Sequence, residues 1–186
     1  MNLPNKLTVL RIILVPFFVS FLLMDSIPYN YLWALIVFAV ASITDCLDGN
    51  IARKYNLVTN FGKFLDPLAD KVLVLAAMIG FIELGLSSSV VVIIVIAREF
   101  LVTSLRLVAA SDGTVIAASI YGKIKTISQM FSIVAILLLK TIDQFTPIGW
   151  DIDLISNVLM WITAVIAVIS GWDYLWKNRH CINTTK

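Results

Sequence analysis

The sequence predicts an all-α integral membrane protein with six transmembrane helices. Its 186 residues are 60% hydrophobic and 14% charged, with a mean hydropathy of +0.94. An average soluble domain is about 45–50% apolar and about 25% charged. Several apolar runs reach the roughly 20 residues that a helix needs to cross about 30 Å of hydrocarbon. Residues 1–186 are predicted to form one domain, since no internal repeat or soluble segment is found.

Six spans follow from the apolar runs, taken in chain order. They are predicted at residues 7–24, 29–45, 65–84, 88–108, 121–140 and 154–176. Turn-forming residues separate several of them, at 25–28, 85–89 and 146–149. The first run precedes no small-residue cleavage site, so it is predicted to be a span and not a signal peptide.

The basic residues predict the orientation of these spans. In this arrangement of spans, 13 of the 14 lysines and arginines lie toward one side of the membrane, and only Lys140 lies toward the other. Basic residues remain on the cytoplasmic side far more often than acidic ones. Both termini are therefore predicted to be cytoplasmic. The net charge of +2 is too small to indicate nucleic-acid binding.

Four aspartates lie close together in the sequence, around the end of the second span and the start of the third. Asp45 and Asp48 are three residues apart, and Asp66 and Asp70 are four apart. Each spacing places both side chains on one face of a helix. The short link makes the two helices antiparallel, so we expect the four carboxylates to converge on one cytoplasmic-side cleft.

Such a cluster predicts a site for divalent cations. Carboxylates in a low-dielectric cleft must either take up protons or bind cations, and oxygen ligands favour hard ions such as Mg2+, Mn2+ or Ca2+. Two such ions would clamp a diphosphate and make one phosphate a leaving group. Gly49 and Ala52 would let a substrate approach the backbone, and Arg53 would contact a phosphate oxygen.

Each of these residues also has a simpler explanation when taken alone. Asp66 directly precedes a proline, which is a common helix start in which the carboxylate caps backbone N–H groups. Asp45 and Asp48 would be solvated where the helix leaves the membrane, and Asp70 would pair with a basic neighbour such as Lys71 or Arg53. The glycines would serve helix packing. Only the cation site accounts for all four aspartates together.

The aspartate segment resembles the signature of a known family. Its pattern, Asp-x2-Asp-Gly-x2-Ala-Arg-x8-Gly-x3-Asp-x3-Asp, begins at Asp45 and ends at Asp70. It matches that of the CDP-alcohol phosphatidyltransferase family without a gap or substitution. PNKLTVLR near the N-terminus, IAREFLVTSLR in the fourth span and YGKIKT before the fifth resemble the branch whose acceptor is glycerol 3-phosphate. The family implies six membrane helices.

The resemblance also implies a reaction and residue roles. The reaction is transfer of a phosphatidyl group from CDP-diacylglycerol to an alcohol, with release of CMP. Asp45, Asp48, Asp66 and Asp70 would hold two ions, Mg2+ or Mn2+, and Asp70 would be the general base, although spacing alone does not distinguish base from ligand. The residues implied for CDP-diacylglycerol binding are Asn5, Thr8, Asp48, Gly49, Ala52, Arg53 and Gly62. A homodimer in a bacterial inner membrane is implied by family alone.

Thr8 has a simpler explanation as the N-terminal cap of the first helix. Trp172, Tyr174 and Trp176 near the end of the last span are predicted to form an interfacial aromatic belt.

Basic residues within or beside the spans predict the binding site for an anionic acceptor. Charges at membrane depth cost at least about 2.5–3.5 kcal/mol each and usually face a cavity and a partner. Four residues are predicted to bind the phosphate of glycerol 3-phosphate: Arg98, Arg106, Lys123 and Lys125. Alternatively, Arg98 would pair with Glu99, and the lysines would be positive-inside anchors.

Other functions explain the sequence less well. The same reaction with another acceptor, such as inositol phosphate, serine or phosphatidylglycerol, is disfavoured only by the segments PNKLTVLR, IAREFLVTSLR and YGKIKT. A membrane polyprenyl transferase usually needs more helices and would leave the Gly-x2-Ala-Arg element unexplained. A cation channel or transporter would spread its acids along a pathway, and a structural membrane protein would not need them.

Overall fold

A computed structural model describes residues 2–54, 60–111, 116, 119–147 and 149–179, without the side chains of residues 3–4, 46–54, 60–61, 63–64, 66–67, 70 and 111. Within these ranges the chain forms six α-helices and no strand, so the predicted all-α class is confirmed. The helices are α1 (Leu3–Leu23), α2 (Asn30–Lys54), α3 (Asn60–Glu83), α4 (Ser89–Ser111), α5 (Ile120–Phe145) and α6 (Ile152–Lys177).

The helices differ from the predicted spans mainly around the aspartates. Helix α2 continues past Asp45 to Lys54, and α3 begins at Asn60. The predicted bounds followed apolar composition, whereas helical hydrogen bonds join backbone groups and persist through a polar sequence. Asp66 therefore lies inside α3, and the alternative explanation that it caps the start of this helix is wrong.

Among the described residues, three helices are long and apolar enough to cross a membrane, as expected of an all-α membrane protein. They are Asn5–Leu23 within α1, Ile120–Phe145 and Ile152–Lys177, and Asn30–Asp45 is a shorter apolar stretch. Helix α4 carries Arg98, Glu99 and Arg106, which lower its apolar character. The six-span topology stays a prediction.

The chain divides into two compact units. Unit 1 contains residues 1–84 and 134–150, and unit 2 contains residues 85–133 and 151–186. Helix α5 thus contributes its second part to unit 1 and its first part to unit 2. The prediction of one domain stays a prediction.

In unit 1, α1 packs against both α2 and α3. The apolar part of its buried face consists of Val15, Phe18 and Leu22, and the Phe18 ring lies 5.6 Å from the Phe38 ring of α2. A Cβ atom at Gly80 of α3 would lie 2.5 Å from Leu22 Cδ2. Glycine at this position lets α3 approach α1 closely, as small residues do in membrane helix packing.

In unit 2, α4 packs against α6. Helix α6 begins at a capped end, where Asp151 Oδ1 accepts a hydrogen bond of 2.9 Å from the Leu154 amide. Its buried face consists mainly of small residues: Ile152, Ser156, Met160, Thr163, Ala164, Ala167, Ser170, Gly171 and Tyr174. Between α5 and α6, the hydroxyls of Ser132 and Thr163 lie 2.9 Å apart. These small and polar contacts position the charged part of α4 beside α6.

Candidate active site

The buried face of α1 becomes polar toward the N-terminal end of the helix. Asn5, Thr8 and Arg11 follow at intervals of three residues, and each is at most 6% exposed. This spacing places them on one side of the helix. Because α1 begins at Leu3, Thr8 lies inside the helix, and the alternative explanation of Thr8 as an N-terminal cap is wrong. The roles of Asn5 and Thr8 toward the nucleotide stay predictions.

Arg11 forms an ion pair with the first aspartate of the motif. Its Nη1 atom lies 2.5 Å from Asp45 Oδ1, and the side chains are 1% and 43% exposed, respectively. The pair joins the polar end of the α1 face to α2. The buried guanidinium attracts the carboxylate electrostatically and so restricts its position. Because nearly half of the Asp45 side chain is exposed, this carboxylate remains accessible to a ligand.

The other residues of the aspartate motif are described only in part. Gly62 is buried in the first turn of α3. The backbone of both aspartate pairs is helical, as predicted. The side chains of the remaining predicted residues lie outside those described: Asp48, Gly49, Ala52, Arg53, Asp66 and Asp70. Their convergence on one cleft stays a prediction.

The donor set of this motif fits a hard divalent cation. Four aspartates supply only oxygen ligands, which Mg2+ and Mn2+ prefer. Among the side chains that are described, no group of three acidic, histidine or cysteine residues could hold a metal ion. Asp45 is the only one of the four whose side chain belongs to that set. The two-metal site therefore stays a prediction.

In unit 2, two of the predicted cations share one carboxylate. Arg98 donates through Nη1 to Glu99 Oε1 at 3.0 Å and through Nη2 to Ser170 Oγ at 2.6 Å. Lys125 Nζ also donates to Glu99 Oε1. A Cβ atom at Gly171 would lie 3.0 Å from Arg98 Cγ, so glycine leaves room for the arginine stem. The pairing of Arg98 with Glu99, expected as an alternative, is confirmed.

Arg106 is supported by an uncharged group. Its Nε atom donates a hydrogen bond of 2.8 Å to the Tyr174 hydroxyl, and its guanidinium carbon lies 5.4 Å from the centre of the Tyr174 ring. Tyr174 is 2% exposed, whereas Arg106 is exposed. The arginine is thus held at the surface of unit 2 by a hydroxyl and not by a carboxylate.

Lys123 differs from the other three predicted cations. Its side chain is exposed and makes no polar contact with any residue in the part of the chain that the structure describes. The structure therefore brings Arg98 and Lys125 together through Glu99 and leaves Lys123 apart from that cluster. Both the acceptor-binding role and the positive-inside role of Lys123 stay predictions.

Two residues that contact predicted site residues were not identified from the sequence: Arg11, which pairs with Asp45, and Tyr174, which binds Arg106. Arg11 was counted only as a basic residue, although its spacing from Thr8 and Asn5 places it on the same helix face. Tyr174 was predicted to belong to an interfacial belt, and this is wrong because it is 2% exposed. Its position four residues after Ser170 places it on the small-residue face of α6. Trp172 and Trp176, by contrast, are 68% and 61% exposed.

Comparison with known proteins identifies similar sequences over nearly the whole chain. Residues 1–169 match the family model described as CDP-alcohol phosphatidyltransferase. A Bacillus subtilis protein named CDP-diacylglycerol–glycerol-3-phosphate 3-phosphatidyltransferase is 44% identical, over 99% of this chain and 98% of its own length. Proteins of the same name are 39% identical in Rickettsia bellii, over 93% of both chains, and 36% identical in Haemophilus influenzae, over 94% of this chain and 91% of the relative.

Proposed function

The chain belongs to the CDP-alcohol phosphatidyltransferase family, and we propose that it transfers the phosphatidyl group of CDP-diacylglycerol to sn-glycerol 3-phosphate in anionic phospholipid biosynthesis. The observation that carries this proposal is the similarity to relatives named for that reaction, which extends over more than nine-tenths of both chains. The sequence segments PNKLTVLR, IAREFLVTSLR and YGKIKT support the same acceptor.

The donor and its metal ions are assigned to unit 1. The family generally depends on divalent metal ions, and we assign two of them, Mg2+ or Mn2+, to Asp45, Asp48, Asp66 and Asp70. When bound, such ions neutralise the diphosphate of the donor and polarise its phosphorus. The Arg11 guanidinium supports this assignment, because it restricts one oxygen of Asp45 while the carboxylate remains accessible.

The other donor contacts come from residues that flank the aspartates. Gly49, Ala52 and Gly62 let the CDP moiety approach the helix backbone, and Arg53 contacts a phosphate oxygen. Asn5 and Thr8 belong to the α1 face that carries Arg11, so this face is assigned to the nucleotide side of the site.

The chemical step needs one proton acceptor. The hydroxyl of glycerol 3-phosphate attacks the phosphorus that carries the diacylglycerol group, and the Asp70 carboxylate takes up the hydroxyl proton. A bond forms between this phosphorus and the glycerol oxygen, and the bond to the CMP oxygen breaks. CMP leaves with the bonding electron pair, so the products are phosphatidylglycerophosphate and CMP.

The acceptor phosphate is assigned to the basic residues of unit 2. The Arg106 and Lys123 side chains are exposed, which suits direct contact with a phosphate. Arg98 and Lys125 are part of the same site, and Glu99 neutralises part of their charge. A membrane position explains why Arg98 and Lys125 require a partner such as Glu99.

The cellular setting is assigned from charge and family. We place the protein in the bacterial cell membrane, with six spans and with both termini and the site on the cytoplasmic side, because 13 of its 14 basic residues fall toward one side. We further propose a single family domain and a homodimer. Cytoplasmic exposure gives a soluble acceptor such as glycerol 3-phosphate direct access to the site.

An acceptor comparison tests the proposed reaction. Purified protein in detergent receives CDP-diacylglycerol, a divalent ion and one alcohol at a time: glycerol 3-phosphate, inositol phosphate, serine or phosphatidylglycerol. We expect CMP release with glycerol 3-phosphate, matched mole for mole by phosphatidylglycerophosphate in the mass spectrum. Faster CMP release with another alcohol would place the chain in a different branch of the family.

A further inference from the structure

The hydrogen bond between Arg106 and Tyr174 joins a long, exposed side chain to a buried and tightly packed one. Tyr174 is packed with Val102 and Leu105 in a buried cluster, and Ile116 and Leu175 cover it in part. An exposed arginine samples many rotamers, and fixing its side chain costs entropy. The 2.8 Å bond from Nε to the tyrosine hydroxyl restricts the arginine chain as far as its guanidinium.

The bond to Tyr174 uses only the Nε side of the guanidinium, so its two Nη groups can donate to a ligand. An arginine has five N–H donors, of which the Nε–H points to Tyr174 and the other four belong to the two Nη groups. Within the part of the chain that the structure describes, these Nη groups have no acceptor. Two Nη groups in one plane match the oxygens of a phosphate.

The charge of the supporting group distinguishes Arg106 from the neighbouring cations. Glu99 contacts Arg98 and Lys125 and neutralises part of their combined charge. The Tyr174 hydroxyl is neutral and holds Arg106 without reducing its attraction for an anion. The ring adds a weak cation–π attraction at 5.4 Å.

From these contacts we infer that Tyr174 is a positioning residue, which orients the Nη groups of Arg106 toward the phosphate of the acceptor. The inference rests on the proposed function, since it needs an acceptor that carries a phosphate. Tyr174 itself does not touch the substrate. Its contribution is to reduce the entropy that Arg106 loses when the phosphate binds.

The substitution Tyr174→Phe tests this role, because it removes the hydroxyl and keeps the packed ring. The variant loses only the orientation of Arg106 and keeps the guanidinium that contacts the phosphate, so we expect the KM for glycerol 3-phosphate to rise about twofold to tenfold. The KM for CDP-diacylglycerol and kcat should stay unchanged. Tyr29→Phe is the matched control, since Tyr29 is exposed in unit 1 and stacks on Phe145. An unchanged KM for glycerol 3-phosphate in a folded Tyr174→Phe protein would overturn the inference.

A double-substitution cycle separates positioning from a general packing effect. In the Arg106→Ala background there is no guanidinium to orient, so Tyr174→Phe should cause no further rise in the KM for glycerol 3-phosphate. A further rise of the same size in that background would also overturn the inference. Failure of the proposed function is a separate result, because the wild-type protein would then release no CMP with glycerol 3-phosphate.

Discussion

Arg11 Nη1 lies 2.5 Å from Asp45 Oδ1, which links a nearly fully buried cation on α1 to a half-exposed carboxylate on α2. A charge buried to this degree needs a partner, because removing one member of a buried ion pair leaves the other uncompensated. The pair therefore serves two purposes in unit 1. It stabilises the packing of α1 against α2, and it holds one carboxylate of the proposed metal site.

The first prediction concerns the stability of this ion pair. Arg11→Gln should lower the free energy of unfolding by about 1–2 kcal/mol, less than for a fully buried pair because water reaches part of Asp45. Arg11→Lys should cost less, since it keeps the charge and loses the planar guanidinium. Lys6→Gln is the control on the exposed face of α1. Thermal unfolding in detergent measures all three, and a wild-type melting temperature for Arg11→Gln would contradict the prediction.

The second prediction concerns the metal ions. CMP release should fall to background in excess EDTA and return when Mg2+ or Mn2+ is added, because four carboxylates need cations to bind a diphosphate. Asp48→Asn should abolish turnover and weaken Mn2+ binding, measured by calorimetry on the folded protein. Asp25→Asn, in the exposed turn after α1, is the matched control. Full CMP release in excess EDTA would rule out the two-metal site.

The third prediction concerns topology. A cysteine at Asn183, in a protein whose Cys46 and Cys181 are replaced by serine, should react with an impermeant thiol reagent only after the cells are opened. A cysteine at Thr146, which is exposed just after α5 near Lys140, should react in intact cells. Labelling of the Asn183 position from outside would reverse the orientation predicted from the basic residues.

The helices were largely predictable from the sequence, whereas their ends were not. Apolar length identified each of the six helices. It placed the end of the second near Asp45, although the helix continues to Lys54. Polar side chains end an apolar run, but they do not interrupt backbone hydrogen bonds, so composition alone does not locate the end of such a helix.

The site stays a prediction, and it could be made only where the residue type itself limits the chemistry. The spacing of the aspartates indicated an ion site, and arginines in an apolar span indicated an anionic substrate. The residues that contact these side chains were harder to predict, because such contacts depend on which helix faces pack together. Tyr174 looks like an interfacial aromatic in the sequence, and only the packing of α4 against α6 makes it a partner of Arg106.

The fourth prediction separates the acceptor site from the donor site. Arg106→Ala should raise the KM for glycerol 3-phosphate about tenfold to hundredfold, the equivalent of a charge-assisted hydrogen bond of roughly 1.5–3 kcal/mol. Arg106→Lys should have a smaller effect, because it keeps the charge and loses the planar fork. Lys177→Ala is the control, a basic residue of unit 2 that pairs with Asp173 and lies outside the proposed site.

The separation of the donor and acceptor sites is tested most directly by the initial rate of CMP release. This rate is measured for the wild-type and Arg106→Ala proteins, with each substrate varied in turn. We expect a KM for glycerol 3-phosphate at least tenfold higher in the variant and a nearly unchanged KM for CDP-diacylglycerol. Equal increases for both substrates in a folded variant would contradict the separation of donor and acceptor sites. An unchanged KM for glycerol 3-phosphate would contradict the assignment of Arg106 to the acceptor.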